Sequence, residues 1–450
     1  MKNISLIIAS NNNKTALVNC LTVLQEHVSY PARHEIIVVD KSSTDGTAEL
    51  AEKFKNVTFV SRPFNGLAEA FNAGARQAQG DLLLFLHSDV LLPPDCLGLL
   101  AAELENAPKA AAIGPRTNRS HNLTFQSLRH SAYNTYQELS HFSSMLATQG
   151  SAPGSTIWLD DCCLMIRKEA FMQVGGFDEF FPSHGTEDID LGLRLLDKGC
   201  SCLVSNRAYV HHNPPSPDRT QTGNAQQFRE RWHFQPQYSL NARNDLLPWL
   251  KGLPENASIL EIGCACGPTL LKAHDIFPHA SLYGVELDKG PAQVASHFAN
   301  VSACNIEELA RPDWQAAFDC IICGDVIEHL LRPQAALANI NHYLKPGGRL
   351  LLSVPNIMHI SIFQYLLQGR FPYADSGLLD RTHTKFFTRT EIMQLLQATG
   401  FQVEEDNSLI LPLSAKEEQL LAKLIPLLEP PASPDELRSY QIHIKAIKRA

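Results

Sequence analysis

No run in the chain approaches the roughly 18 consecutive apolar residues that a membrane-spanning helix requires. The apolar stretch near the N-terminus is also too short for the core of a secretory signal, and it reads better as a buried strand. Excess positive charge is missing as well. Lys and Arg number 38 against 47 Asp and Glu, a net charge of -9, so the electrostatic footprint of a nucleic-acid binder is absent. An anionic ligand would instead need local help from a metal ion or a few Arg side chains. Zinc-knuckle spacing is lacking too. The 11 cysteines are odd in number, and Cys200/Cys202 and Cys264/Cys266 stand one residue apart with no matching second pair. They read as reduced, buried thiols. The protein is therefore expected to be cytoplasmic, with peripheral membrane association through partners left open.

What is present is the composition of a folded protein, 44% hydrophobic and 19% charged, in a chain of 450 residues that is long for one domain. Apolar runs alternate with helical patterns throughout, which predicts parallel α/β sheets. Strands are expected at Ser5–Ala9, Glu35–Asp40, Val57–Ser61 and Asp81–His87, with helices around Lys14–His27, Thr47–Lys55 and Leu67–Ala78. Further strands are expected at Ser258–Ile262, Ser281–Glu286, Cys320–Cys323 and Arg349–Val354. No repeat relates the two halves, so they read as different domains. The breaker-rich residues 213–218 mark the end of the first. We divide the chain into a first domain over 1–235, a linker over 236–255 and a second domain over 256–450. The polar segment 115–155 reads equally as acceptor-binding loops or a surface excursion.

In the first half, Asp40 and Asp89 close predicted strands. Ligands of open α/β sheets bind beyond the carboxyl ends of strands, where a carboxylate can meet a nucleoside or a divalent cation. Either Asp alone also reads as a cap or turn residue. The ordered series is more specific: IIVVDKSSTDGT from Ile36, NGLAEAFNAG from Asn65, DLLLFLHSDVLLPPD from Asp81, LMIRKEAFMQVGGFDEFFPSHGTEDIDLGLRLLDKG from Leu164, then Val210-His211-His212. This series resembles family 2 glycosyltransferases of the GT-A fold over roughly residues 1–235. The resemblance implies that Asp40 holds the nucleotide base, with Ser42, Ser43 and Asp45 in the same loop. Asp89 would bind the metal, Mg or Mn, with His211 as a further contact. Glu187 and Asp188 would be the acidic pair, with Asp188 the general base of an inverting displacement, and Arg194 would face the donor phosphates. The first acidic position of the metal motif is occupied by His87.

In the second half, Ile259–Gly267 reads ILEIGCACG, a strand running into a glycine-bearing turn, and Glu286 ends the next strand. An acid there can accept hydrogen bonds from ribose hydroxyls. The pattern is not G-x-G-x-x-G, and Glu261 before the turn suits a cationic cofactor. Downstream come FDCIICGDVIEHLL from Phe318 and LKPGGRLLLSVPN from Leu344. These motifs resemble class I Rossmann-like methyltransferases. By that resemblance Glu261, Gly263 and Gly267 would line the methionine and ribose end of S-adenosylmethionine, Glu286 the ribose, Asn305 the adenine, and Asp325 the methionine end. Residues 368–388, QGRFPYADSGLLDRTHTKFFT, resemble a segment of methyltransferases encoded with bacterial surface-polysaccharide enzymes. His329 and His383 are the candidate bases for a sugar hydroxyl; each also reads as a hydrogen-bonded structural histidine.

The expectation is a bifunctional enzyme of cell-surface polysaccharide biosynthesis. One half would transfer a sugar from a nucleotide-sugar donor to a glycan or lipid-linked glycan; the other would methylate a sugar or related acceptor. The alternative is that only the methyltransferase half is catalytic and the first half binds a glycan or nucleotide.

Overall fold

Near-continuous apolar runs are what a parallel strand needs when helices cover both of its faces. The runs at the N-terminus and after residue 81 meet this condition: alternate side chains of each enter two different cores, Ile4, Leu6, Ile8, Leu82, Leu84 and Leu86 on one face, Ile7, Leu83 and Phe85 on the other. The computed structural model describes residues 2–128, 133–181, 185–213, 224–430 and 432–449. It divides into two units, Met1–Asn241 and Ala242–Ala450. Most of the breaker cluster at 213–218, and residues 182–184 of the long motif from Leu164, lie outside the described residues.

The first unit carries β1 (Ile4–Ser10), β2 (His34–Asp40), β3 (Val57–Ser61), β4 (Leu82–His87), β5 (Val90–Leu91), β6 (Ala110–Thr117), β7 (Gly154–Thr156), β8 (Cys163–Arg167) and β9 (Ser201–His212). The sheet order is β3-β2-β1-β4-β8-β6-β9-β5, with β7 paired to β9. β1 to β4 run parallel to one another, and β8 pairs antiparallel with both β4 and β6. The chain steps outward from β1 to β3, then returns to β4 on the other side of β1. That reversal opens a crevice at the carboxyl ends of β1 and β4. The helix Lys14–Glu26 starts in this crevice. The predicted helix at 47–55 is shorter and broken into a 3-10 turn at Thr47–Glu49 and one helical turn at Leu50–Lys53. The polar segment 115–155 holds a helix, Tyr136–Gln149, opened by a capping box of Thr135 and Glu138.

The second unit repeats the logic with β10 (Ser258–Ile262), β11 (Ser281–Glu286), β12 (Asn300–Ala303), β13 (Phe318–Gly324), β14 (Leu344–Pro355), β15 (Phe401–Ile410) and β16 (Ser439–Lys448). The order is β12-β11-β10-β13-β14-β16-β15. β10 to β14 are parallel; β16 is antiparallel to both β14 and β15. The reversal again falls beside the first strand, between β10 and β13. Of the expected linker, Pro236–Ser239 forms a helical turn belonging to the first unit. Leu247–Leu250 forms a 3-10 turn in the second, where Leu246, Leu247 and Leu250 enter the core around Ile259 and Leu270.

Candidate active sites

Both crevices contain unusual backbone. Among the described residues, Ser42 (φ 48°), Ala265 (φ 48°) and Asp325 (φ 55°) are left-handed although they carry side chains. Such conformations cost free energy and concentrate where a loop must present atoms to a ligand.

In the first crevice Asp40 ends β2 with 1% exposure. Its carboxylate accepts from the Ser43 N–H (3.1 Å), the Ser43 hydroxyl and the Ser61 hydroxyl (3.0 Å). The Ser43 hydroxyl in turn accepts from the N–H of Asn12 (2.8 Å), tying the loop after β2 to the loop after β1. Asp45 sits in this loop but is occupied. It accepts from the N–H of Lys14 (2.7 Å), so it caps the helix Lys14–Glu26 from outside, and from the N–H and hydroxyl of Thr47 (3.1 and 2.6 Å).

Asp89 follows β4. Its carboxylate faces His212 Nε2 at 3.4 Å, and one ligand atom from each of His87, Asp89 and His212 lies within 4.8 Å of the others. His87 Nε2 stands 3.3 Å from Asp161, both side chains buried. Burial pushes the Asp89 carboxyl up, but the His212 hydrogen bond and the charges of His87 and His212 hold it below its ordinary value. Burial lowers His212, and its contacts with Asp89 and Asp160 more than reverse this, raising it. Two imidazoles and a carboxylate of this kind suit a divalent transition metal.

The histidine that reaches Asp89 is thus His212, not the expected His211. β5 pairs with β9 so that Val90 opposes His212, and side chains alternate along a strand. His211 shares the face of Tyr209 and meets the Tyr133 hydroxyl at 2.8 Å. Arg194 also departs from expectation. It lies six positions beyond Asp188, which turns it well away around the helix. Its guanidinium donates to Asp190 (2.7 Å) and to the carbonyls of Val174 (2.7 Å) and Gly176 (2.8 Å).

Glu187 and Asp188 begin the helix Glu187–Asp197, 1% and 3% exposed. Glu187 accepts from the N–H groups of Gly185 (2.7 Å) and Thr186 (2.9 Å), fixing the entry to the helix. Asp188 accepts from the N–H of Ile189 (2.8 Å). Gly192 lets this helix lie against residues 157–158, since a Cβ there would meet the Ile157 carbonyl oxygen at 2.7 Å. That stretch continues into Asp160, whose carboxylate accepts from the Ser120 hydroxyl (2.7 Å) and the His121 N–H (2.8 Å). Beside it opens a cleft of about 340 Å³ lined by His121, Trp158, Ile189, Pro236 and Leu240.

In the second crevice, the turn after β10 has left-handed backbone at Gly263, Ala265 and Gly267. Glu286 accepts from the N–H of Ala265 (2.8 Å) and of Asp288 (2.9 Å), holding the turn against the end of β11. Glu261 is buried, and its Oε2 has no hydrogen-bond partner among the described residues. Burial pushes its carboxyl up to about 8, Thr269 and Arg243 oppose, and the Glu286 charge adds to the rise. A buried acid of this kind fits a cationic ligand. Asn305 caps its own turn, accepting from the N–H of Glu307 (3.0 Å). Asp325 accepts from the Ser353 hydroxyl (2.7 Å), the Gln441 amide (2.6 Å) and Arg243 (3.0 Å). The rings of His329 and His383 meet edge to face, centroids 4.8 Å apart.

Comparison with known proteins decides what these two crevices belong to. The family model Glycosyl transferase family 2 matches residues 5–175, and a model for the N-terminal domain of galactosyltransferase matches 150–213. A Methyltransferase domain model matches 231–406. The chain joins a family 2 glycosyltransferase domain to a methyltransferase domain.

The glycosyltransferase domain is similar to validoxylamine A glucosyltransferase of Streptomyces hygroscopicus, 29% identical over 46% of this chain and 50% of that protein. It is also similar to N-acetylglucosaminyl-diphospho-decaprenol L-rhamnosyltransferase of Mycobacterium tuberculosis, 27% identical over 41% of this chain and 68% of that one. The methyltransferase domain is similar to ubiquinone biosynthesis O-methyltransferase of Marinobacter nauticus, 26% identical over 43% of this chain and 86% of that protein. The chain thus spans half the length of the first of these relatives.

Several residues of these domains carry no signal of their own in the sequence. His212 stands one position from His211, and only strand pairing separates the two. Arg243 lay in the expected linker, yet it bonds Asp325 and Asp245 and packs so closely on Gly324 that a Cβ there would lie 2.5 Å from its Nη1. Gln441 comes from β16, far along the chain, with no motif to announce it.

Proposed function

We propose that the chain is a bifunctional enzyme of cell-surface polysaccharide biosynthesis. Its glycosyltransferase domain transfers a sugar from a nucleotide-sugar to a glycan or lipid-linked glycan with inversion, and its methyltransferase domain methylates a sugar or related hydroxyl. The observation that carries the first activity is the grouping of His87, Asp89 and His212 at one end of a sheet whose β2 ends in Asp40. In this reading Asp40 and Ser43 hold the nucleoside, and Asp89 with His212 hold a divalent cation. Bound there, that cation supplies positive charge for the departing diphosphate. Asp188 takes the proton of the acceptor hydroxyl as it attacks the anomeric carbon, and Glu187 keeps the loop before Asp188 in place. The cleft lined by Trp158 and His121 takes the acceptor.

In the second domain the left-handed turn at Gly263, Ala265 and Gly267 brings bare backbone to the ligand, and Glu286 meets the ribose hydroxyls. Glu261 faces positive charge, and Arg243 offers a cation to a carboxylate. S-adenosylmethionine supplies the activated methyl group when bound. His329 and His383 stand on the acceptor side. The test is sugar transfer and methyl transfer measured on the same purified chain. Asp188→Asn is expected to lower sugar transfer by roughly 100-fold or more and leave methyl transfer intact; unchanged sugar transfer would remove Asp188 as the base. Calorimetry of Glu286→Ala should show weakened S-adenosylmethionine binding.

A further inference from the structure

A second group of metal-ligating side chains lies in the methyltransferase domain. Glu328 and His329 form a 3-10 turn just beyond β13, and His383 comes from the segment 368–388. One ligand atom from each of the three lies within 4.8 Å of the others. Glu328 is 1% exposed, and neither of its carboxylate oxygens accepts a hydrogen bond from another residue among the described residues. A buried carboxylate left in this state costs several kcal/mol unless a cation or proton meets it.

The surroundings hold the two imidazoles in a ligand's arrangement. His383 Nδ1 lies 3.3 Å from the carbonyl of Leu378, and His329 Nδ1 lies 3.2 Å from the carbonyl of Thr382. An Nδ1–H donated to each carbonyl leaves each Nε2 with its lone pair, the tautomer that metal-ligating histidines adopt. The backbone of the segment is pinned to the same place: Thr384 and Lys385 both donate their N–H groups to the Glu328 carbonyl, at 2.9 and 3.0 Å. The turn that carries Glu328 and His329 and the segment that carries His383 are thus fixed to each other independently of any ion.

We propose that Glu328, His329 and His383 form a divalent transition-metal site on the acceptor side of the methyltransferase domain. Two imidazoles and one carboxylate favour Mn²⁺, Co²⁺ or Zn²⁺ over Mg²⁺ or Ca²⁺. Three protein ligands leave positions open to oxygen donors such as water or an acceptor hydroxyl. The term "acceptor side" rests on the methyltransferase reading above; the ion site itself does not.

The test uses the full chain with Asp89→Asn and His212→Ala, so that the glycosyltransferase cluster does not compete. Calorimetric titration with Co²⁺ or Zn²⁺ is expected to show one ion per chain, with visible absorption bands for Co²⁺. Adding His383→Ala should weaken binding by roughly tenfold or more, and Glu328→Gln should do the same. His383 is only half-buried, so its loss is readable even if Glu328→Gln fails to fold. Absence of binding, or binding unmoved by His383→Ala, would overturn the site. S-adenosylmethionine binding is titrated on the same protein. Its absence with ion binding retained would count against the methyltransferase reading alone; its presence without ion binding would count against the metal site alone.

Discussion

Glu261 carries two demands in one side chain. Its oxygens are enclosed at the end of β10, and burial raises its carboxyl to about 8, far from the ordinary value of about 4.3. Between these two values the folded domain holds a proton that the unfolded chain has released. Stability therefore falls as the pH rises across that window, by the linkage of proton binding to folding. Glu261→Gln removes the ionisable group and keeps the shape. The unliganded methyltransferase domain of this variant is expected to lose less stability between pH 5 and pH 8 than the parent, measured by denaturant unfolding at both values. Its affinity for S-adenosylmethionine should fall, because the cation loses its acid. Equal pH dependence in the two proteins would show that Glu261 titrates normally. The sequence made Glu261 visible as an acid before a glycine turn. It could not show that Thr269, Arg243 and the backbone of Leu270 would oppose its burial without overcoming it.

At the scale of the element, register decides chemistry. Val210-His211-His212 presents two adjacent histidines, and a strand sends them to opposite faces. Because β5 pairs with β9 at Val90 and His212, His212 joins Asp89 and His211 joins Tyr133. His212→Ala is expected to weaken Mn²⁺ binding at Asp89 by roughly 10- to 100-fold, with His211→Ala changing it little; calorimetry distinguishes them. Since Asp89 and Asp160 raise the affinity of this imidazole for a proton, the proton competes with the cation, and metal affinity should fall as the pH drops. If His211→Ala were the more damaging, the strand pairing would be wrong. Elements with continuous apolar runs were legible in the same way as Val57–Ser61, Ser258–Ile262 and Ser281–Glu286, each a strand over those residues in the structure. β15 was not, because FQVEEDNSLI buries little beyond Phe401 and takes its place through pairing with β16. The helix Tyr136–Gln149 was hidden for a related reason: only Leu139, Phe142 and Ser143 of its residues are buried, so its apolar face is too sparse to announce a period.

At the scale of the whole molecule, each unit has its own sheet and its own buried clusters, which is the condition for a domain to unfold as a cooperative unit of its own. A ligand that binds one native domain then stabilises that domain alone. At a concentration of 100 times its Kd the gain is about 2.7 kcal/mol, or a shift in melting temperature of about 5–10 °C for a domain of this size. A nucleoside diphosphate with Mn²⁺ is expected to raise one calorimetric transition, and S-adenosylhomocysteine the other. Asp89→Asn should abolish the first shift and Glu286→Ala the second, each without touching its counterpart. A single transition that both ligands raise would mean that the two domains unfold together. The fusion would then couple their stabilities as well as raise the effective concentration of one domain's product at the other. Sequence motifs identify each domain separately, but nothing in their order reveals whether that coupling exists; it depends on free energy shared across the chain, which only the two-ligand melt can measure.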